Sequence, residues 1–257
     1  MTRDIVRVSV SVSAELGEMA RARALDLVPG GFEESEHGET LTLSFYVDES
    51  AVAAIEASFA DAEVEVTPVE PGWEDAWRTF HRPVRVGGLW IGPPWERPEP
   101  GERAVVIDPG RAFGTGAHPT TQLCIELLAR SERGALLDVG CGSGVLSIAA
   151  VRLGYGPVRA VDNDPVAVET TIANAAVNGV AVAVELLDGE VVVLPLAAIT
   201  VANVLLAPVE RILGRLEGGV AITSGYLESD YPVAPGWRST DRVTLDGWAA
   251  DRFERIS

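Results

Sequence analysis

Two glycine-rich stretches carry the residue types best suited to chemistry in this 257-residue chain. Residues 108–121 read DPGRAFGTGAHPTT, between the apolar run Ala104-Val105-Val106-Ile107 and a helical pattern that begins near Thr120. Glycine and threonine at a helix entrance leave backbone N–H groups and hydroxyls free to cradle an anion such as a phosphate. Residues 137–144 read LDVGCGSG, after the strand-like GALLDVG and before the helical GVLSIAAVRLG. Glycines there let a backbone approach a ligand and adopt dihedrals closed to other residues.

Spacing separates the ligands such a loop could hold. Dinucleotide loops want G-x-G-x-x-G, but here the glycines fall at 140, 142 and 144 and position 145 is valine. Asp138 stands two residues before the first glycine. That D-x-G-x-G-x-G order resembles the S-adenosylmethionine loop of Rossmann-like methyltransferases, which places Asp138, Gly140 and Gly142 at a cofactor. Asp162 ends the next strand-like run, VRAVD, where a carboxylate can accept hydrogen bonds from both ribose hydroxyls. Asp164 is the alternative, although the following Pro165 favours it as a helix cap. Asp188 is placed to meet an adenine amino group, or is simply a turn residue before Gly189. Cys141 could be a nucleophile, but no His or acid flanks it, and a small residue tolerated in a tight turn is the simpler reading.

The elements that must position these residues follow from period and punctuation. From about residue 104, strand-like runs alternate with helical ones, which demands a largely parallel sheet with its ligand at the carboxyl ends of the strands. These include DPVAVETTIANAAVNG as a helix ending at Asn178-Gly179, then VAVELLDG, AAITVANVLL, PVERILGRL, GVAITSGYL and a charged closing WAADRFERI. The first 67 residues read β-α-β-β-α-β. Ile5, Val8, Val10 and Val12 lie in a strand, Met19, Ala22 and Leu25 at helical spacing, and Leu41, Leu43, Phe45 and Val47 alternate. ESAVAAIEASFADA is helical and EVEVTPV closes as a strand, giving a ferredoxin-like antiparallel sheet with two helices on one face. The expected architecture is therefore α/β: a Rossmann-like, mostly parallel sheet over 104–257, preceded by a small α+β domain over 1–67. Residues 68–103 read as a connector, with WEDAWRTFHRPV a short aromatic helix, VRVGGLWIGPPW strand-like and GPPWERPEPGE irregular. Trp73, Trp77, Trp90 and Trp95 would pack it onto a domain.

Composition bounds the partners. The net charge is −18, and residues 1–72 hold 15 acids against 4 arginines, a local balance of −11. Such a field argues against direct nucleic-acid binding and suits a basic partner, or serves solubility alone. All 20 basic residues are arginine. No apolar run is long enough to span a bilayer, and MTRDIVRVSVSV alternates instead of forming a signal-peptide core, so the cytoplasm is the default compartment. Cys124 and Cys141 are too few for a disulfide scaffold, and no cluster has metal-ligand spacing. Of the histidines, His118 could be a base but reads as structural at a helix entry, and His37 and His81 have weaker cases.

Taken together, DPGRAFGTGAHPTT, LLDVGCGSGVLSIAA, AVDNDPVAVETTIANAAVNGV and TVANVLLAP resemble, in order and spacing, the bacterial ribosomal protein L-eleven (L11) methyltransferases of the PrmA type. The resemblance covers most of residues 73–230 and is strongest over 104–210. It implies class I, S-adenosylmethionine-dependent methylation of lysine side chains and the α-amine of that basic large-subunit protein, recognised by the N-terminal domain. Carried over by motif, Thr121, Gly140, Asp162 and Asn203 would contact the cofactor, and Phe113, Gly114 and Thr115 would close over it. Thr120 and Thr121, at a helix start, suit the methionine carboxylate, so the first stretch need not bind phosphate. Asn203 is the candidate catalytic residue: its amide oxygen would accept an amine hydrogen and aim the nitrogen lone pair at the methyl, where the plainer reading is a turn cap before Pro208. Competing readings are a methyltransferase for another protein or a small amine, an NAD-dependent dehydrogenase disfavoured by glycine spacing, and a cofactor-binding partner of the ribosomal protein without turnover.

Overall fold

The computed structural model describes residues 5–13, 16–28, 32–38, 40–68, 82–108, 114, 116–190 and 193–256. The chain divides into two compact units, residues 1–80 and 81–257. The expected aromatic helix WEDAWRTFHRPV, with Trp73, Trp77 and His81, lies outside the described residues but for its last three positions.

In the first unit, strands β1 (Ile5–Ser13), β2 (Glu33–His37), β3 (Thr40–Asp48) and β4 (Glu63–Pro68) form an antiparallel sheet in the order β2-β3-β1-β4. Helices α1 (Gly17–Leu27) and α2 (Val52–Ser58) complete a ferredoxin-like β-α-β-β-α-β arrangement. Period-two alternation places Val8, Val10, Leu41, Leu43 and Phe45 in one core with Ile55 and Phe59. In α1 the buried pair is Ala20 and Ala24, whereas Met19 is 46% exposed. Met19 thus lies on the open side of α1, and the two buried alanines, four apart, let the helix lie close on the sheet.

The second unit opens with a small sheet of β5 (Val84–Val86), β6 (Leu89–Gly92) and β7 (Ala104–Val106), in which Trp90 is buried. Its main body is a seven-stranded sheet built from β8 (Leu136–Val139), β9 (Val158–Asp162), β10 (Ala183–Leu186), β11 (Ile199–Asn203), β12 (Val220–Leu227), β13 (Trp237–Leu245) and β14 (Trp248–Arg255). The order is β10-β9-β8-β11-β12-β14-β13, and only β14 runs against the rest. WAADRFERI is thus a regular strand despite its charges. Its Asp251, 2% exposed, is satisfied by Arg242, Tyr226 and Ser239, so the charge is paired and not merely buried. WRSTDRVTL, not foreseen as a strand, forms β13 on the edge, where polar residues face solvent.

Alternation along the central strands divides the core in two. Leu136, Ile199, Val201 and Ile222 pack under α3 (Pro119–Arg130), α4 (Val145–Leu153) and α5 (Pro165–Asn178). Leu137, Val139, Ala202 and Ala221 face α6 (Leu206–Arg215) through Val209, Ile212 and Leu213. All four β8 residues are buried, as expected of a strand covered on both faces. The chain leaves β8 toward β9 and β10, then returns to the other side of β8 at β11. That reversal opens a crevice at the carboxyl ends of β8 and β11.

Candidate active site

The sequence-predicted residues converge on this carboxyl edge. Asp138 is in β8, Gly140 and Gly142 follow it, Asp162 ends β9, Asp188 lies two residues past β10, and Asn203 ends β11. Phe113 and Thr115 lie outside the described residues; Gly114 is described, at φ +108°.

The second glycine loop is held by the elements around it. Gly140, Gly142 and Gly144 all have positive φ, and Gly144 caps α4 in the left-handed conformation. A Cβ on Gly140 would lie 2.6 Å from Val204 Cγ1. Asp162 fastens the loop: its Oδ2 accepts the Gly142 N–H at 2.9 Å and its Oδ1 accepts the Asp164 N–H at 3.0 Å. Asp164 takes the cap role, accepting the Val166 N–H at 2.8 Å with Pro165 at the first helical position.

Sequence reasoning missed a polar stripe on α5. Thr171, Asn174 and Asn178, three and four residues apart and all buried, face the loops. Thr171 Oγ1 donates to the Gly142 carbonyl at 2.9 Å, and Asn174 Nδ2 to the Ser143 carbonyl at 2.9 Å. Asn174 Oδ1 also accepts the Asp108 N–H at 3.3 Å, while Asn178 bonds both the N–H and the carbonyl of Val106. Ser143 Oγ donates to the Gly114 carbonyl. The two glycine stretches are thus stitched to one helix and to each other. The available signal was two asparagines at i, i+4 inside a helix, where their propensity is poor.

Asn203 and Thr121, 82 residues apart, meet: Asn203 Nδ2 donates to Thr121 Oγ1 at 3.3 Å. Leu205, not Asn203, holds the N-cap position of α6, and among the described residues the Asn203 side chain bonds Thr121. With its nitrogen turned to Thr121, the amide keeps its oxygen as an acceptor. His118 is structural. It caps α3, its Nδ1 accepting the Thr120 N–H, and its ring packs edge-on against Trp248 at 5.0 Å. Burial holds its imidazole below the ordinary value. Asp188 Oδ1 accepts the Glu190 N–H at 2.9 Å, which makes it the turn residue and leaves its second oxygen for other partners.

Asp138 is 0% exposed. Its Oδ2 accepts the Ser147 hydroxyl at 2.6 Å, while its Oδ1 has no partner among the described residues. Burial pushes this carboxyl up to about 7; the Ser147 bond opposes the shift and the negative Asp162 adds to it. Cys141 sits beside Thr171 and burial pushes its thiol up to about 12, which makes it a poor nucleophile. Burial raises Cys124 as well.

A protein-family model described as ribosomal protein L11 methyltransferase (PrmA) matches residues 33–249. The chain belongs to that family. The ribosomal protein L11 methyltransferase of Geobacter sulfurreducens is 40% identical over 239 residues, 80% of this chain and 76% of that protein. The Myxococcus xanthus and Pelotomaculum thermopropionicum proteins of the same name are 39% and 44% identical. The chain spans less than two thirds of their lengths, 62% and 56%. Among solved structures, the L11 methylase of Lactobacillus delbrueckii subsp. bulgaricus aligns with a TM-score of 0.60 and 28% identity, covering 66% of this chain and 96% of that one. The fold and the family agree with the motifs. No helix among the described residues is long and apolar enough to cross a membrane.

Proposed function

We propose that this protein transfers methyl groups from S-adenosylmethionine to amino groups of ribosomal protein L11, on lysine side chains and the α-amine. The observation that carries the reading is the convergence of Thr121, the 140–144 loop, Asp162 and Asn203 on one sheet edge in a chain of this family.

The residues fit the cofactor on two counts. Gly140 has positive φ and no room for a side chain, as a backbone that meets a ligand closely requires. Asp138 Oδ1 is a buried acceptor with no donor among the described residues, which an ammonium group satisfies directly or through a bridging water. When bound, S-adenosylmethionine supplies a methyl group made electrophilic by its sulfonium. Asp162 has lone pairs beyond the two backbone bonds it accepts, and these take the ribose hydroxyls. Asp188 offers its second oxygen to the adenine amino group. Thr121, at the start of α3, offers its hydroxyl hydrogen to the methionine carboxylate.

Asn203 works on the acceptor. A lysine amine with a pKa near 10.4 is only about 0.04% neutral at pH 7, a cost of roughly 4.6 kcal/mol. The Asn203 oxygen holds an N–H of the neutral amine and so fixes the lone pair's direction, and orientation of this kind is worth several kcal/mol. The acidic first unit, in its ferredoxin-like fold, grips the basic substrate. The test is incubation with methyl-labelled S-adenosylmethionine and the purified large-subunit proteins. Label in L11 alone is the expected result; label elsewhere, or none despite measurable cofactor binding, removes the proposed acceptor.

A further inference from the structure

Among the described residues the Asn203 side chain is tethered by one hydrogen bond of 3.3 Å, a long bond for the task of aiming an amine. Its backbone is gripped far more firmly, through the next residue. β11 lies between β8 and β12, and Val204, the residue after it, sits beside Gly140 after β8 and bonds Ser224 of β12. On the β12 side the Val204 N–H donates to the Ser224 carbonyl at 3.1 Å. Gly225, at φ +103°, receives the Val204 peptide: a Cβ there would overlap the Val204 carbonyl oxygen and lie 2.6 Å from its carbonyl carbon. The strand makes room by a bulge, since the β12–β14 register shifts between Ser224 and Tyr226. On the β8 side, Val204 Cγ1 fills the space that a side chain on Gly140 would occupy, at 2.6 Å from its Cβ position.

We infer that Val204 is a positioning residue for the transfer reaction, wedged between Gly140 and Gly225 so that the Asn203 amide is held in register with the cofactor loop. The inference rests on the reading of Asn203 given above. The two glycines leave room for the valine from opposite sides, and a β-branched side chain, stiff at χ1, suits the gap. Gly140 then has two tasks, to admit the cofactor and to seat Val204. Gly225 has one, to let the Val204 backbone come close enough.

The test uses the full chain and the variants Val204→Ala, Val204→Ile and Gly225→Ala. With Val204→Ala, S-adenosylmethionine affinity by calorimetry stays within about twofold of wild type, while kcat on L11 falls about ten- to a hundredfold at similar KM, as a misplaced group would cause. Val204→Ile, which keeps the branch, restores most of kcat. A role in stability alone would instead lower melting temperature and cofactor affinity together, or leave kcat intact, and either result overturns the inference. Gly225→Ala is expected to behave like Val204→Ala if it folds, and Val204→Ala decides the matter if it does not. A readout free of turnover separates this inference from the activity it rests on. The Asn203 side-chain amide signals in nuclear magnetic resonance, assigned by their loss in Asn203→Ala, should be sharp in wild type and broadened in Val204→Ala. Unchanged signals sink the wedge even if methylation is seen; broadened signals with no methylation by wild type support the wedge and remove the proposed reaction.

Discussion

Asp162 and Asp138 show how differently two carboxylates can be used within one loop. Asp162 is part-exposed, bonds two backbone N–H groups and stays available to a ligand's hydroxyls. Replacing it by Asn keeps the shape but weakens charge-assisted bonds worth about 1.5–3 kcal/mol. Asp162→Asn should therefore bind S-adenosylmethionine about ten- to a hundredfold more weakly in calorimetry, and equal affinity would remove Asp162 from the cofactor site. Asp138, fully buried and half-satisfied, acts on stability. Among the described residues the groups around it are Ser147, Cys124, Cys141 and Asp162, none of them a cation. Its folded pKa of about 7 lies above the ordinary carboxylate value, so the folded state holds a proton that the unfolded state has released. Stability from this group is full below about pH 4 and is lost as pH rises through 7, on the order of 4 kcal/mol by pH 8. Asp138→Asn cannot ionise, so it should melt above wild type at pH 8, with the gap narrowing by about pH 5 and closing near pH 4. A gap that does not vary with pH would contradict the assignment.

The helices and strands divide into those that local sequence dictates and those that only the tertiary structure reveals. β8, the loop 140–144, α4 and α5 were legible because apolar period, left-handed glycines, Asp164-Pro165 and Asn178-Gly179 all agree. β13 was not, because an edge strand of mixed polar residues has no clean alternation, and β14 was doubtful because its charges find partners only across the sheet. The convergence of Asp138, Asp162 and Asn203 could be read from their common place at the carboxyl ends of parallel strands. The clamp of Thr171, Asn174 and Asn178 could not, since its partners lie up to 72 residues away. The same limit applied to His118, a possible base in sequence and a helix cap in the fold. Its role predicts that His118→Ala costs about 1 kcal/mol of stability and His118→Asn much less. Because its folded pKa is lowered, the cap's contribution is present above about pH 6.5 and fades as pH falls. Thermal melts at pH 7.5 and pH 5.5 check both points; a loss of turnover with no loss of stability in His118→Ala would instead make it a catalytic base.

The whole chain joins a strongly acidic ferredoxin-like unit to an α/β unit, and its charge of −18 acts at this scale. If the acidic field draws in a basic substrate, KM for L11 should rise severalfold between about 50 and 300 mM salt as screening sets in, with kcat nearly constant. Salt-independent KM would leave the acidity to solubility alone. The central claim is narrower: one residue, Asn203, orients an amine of L11 toward a methyl group that this chain's loops hold in place. Intact-mass spectrometry of L11 after incubation with S-adenosylmethionine tests it most directly, with wild type and Asn203→Ala run side by side at matched cofactor saturation. The account predicts methylated L11 from wild type and a rate lower by about a hundredfold or more from Asn203→Ala, a loss comparable to that caused by misplacing a reacting group. Equal methylation by the two proteins, or unmodified L11 from a wild type that binds the cofactor, would contradict it.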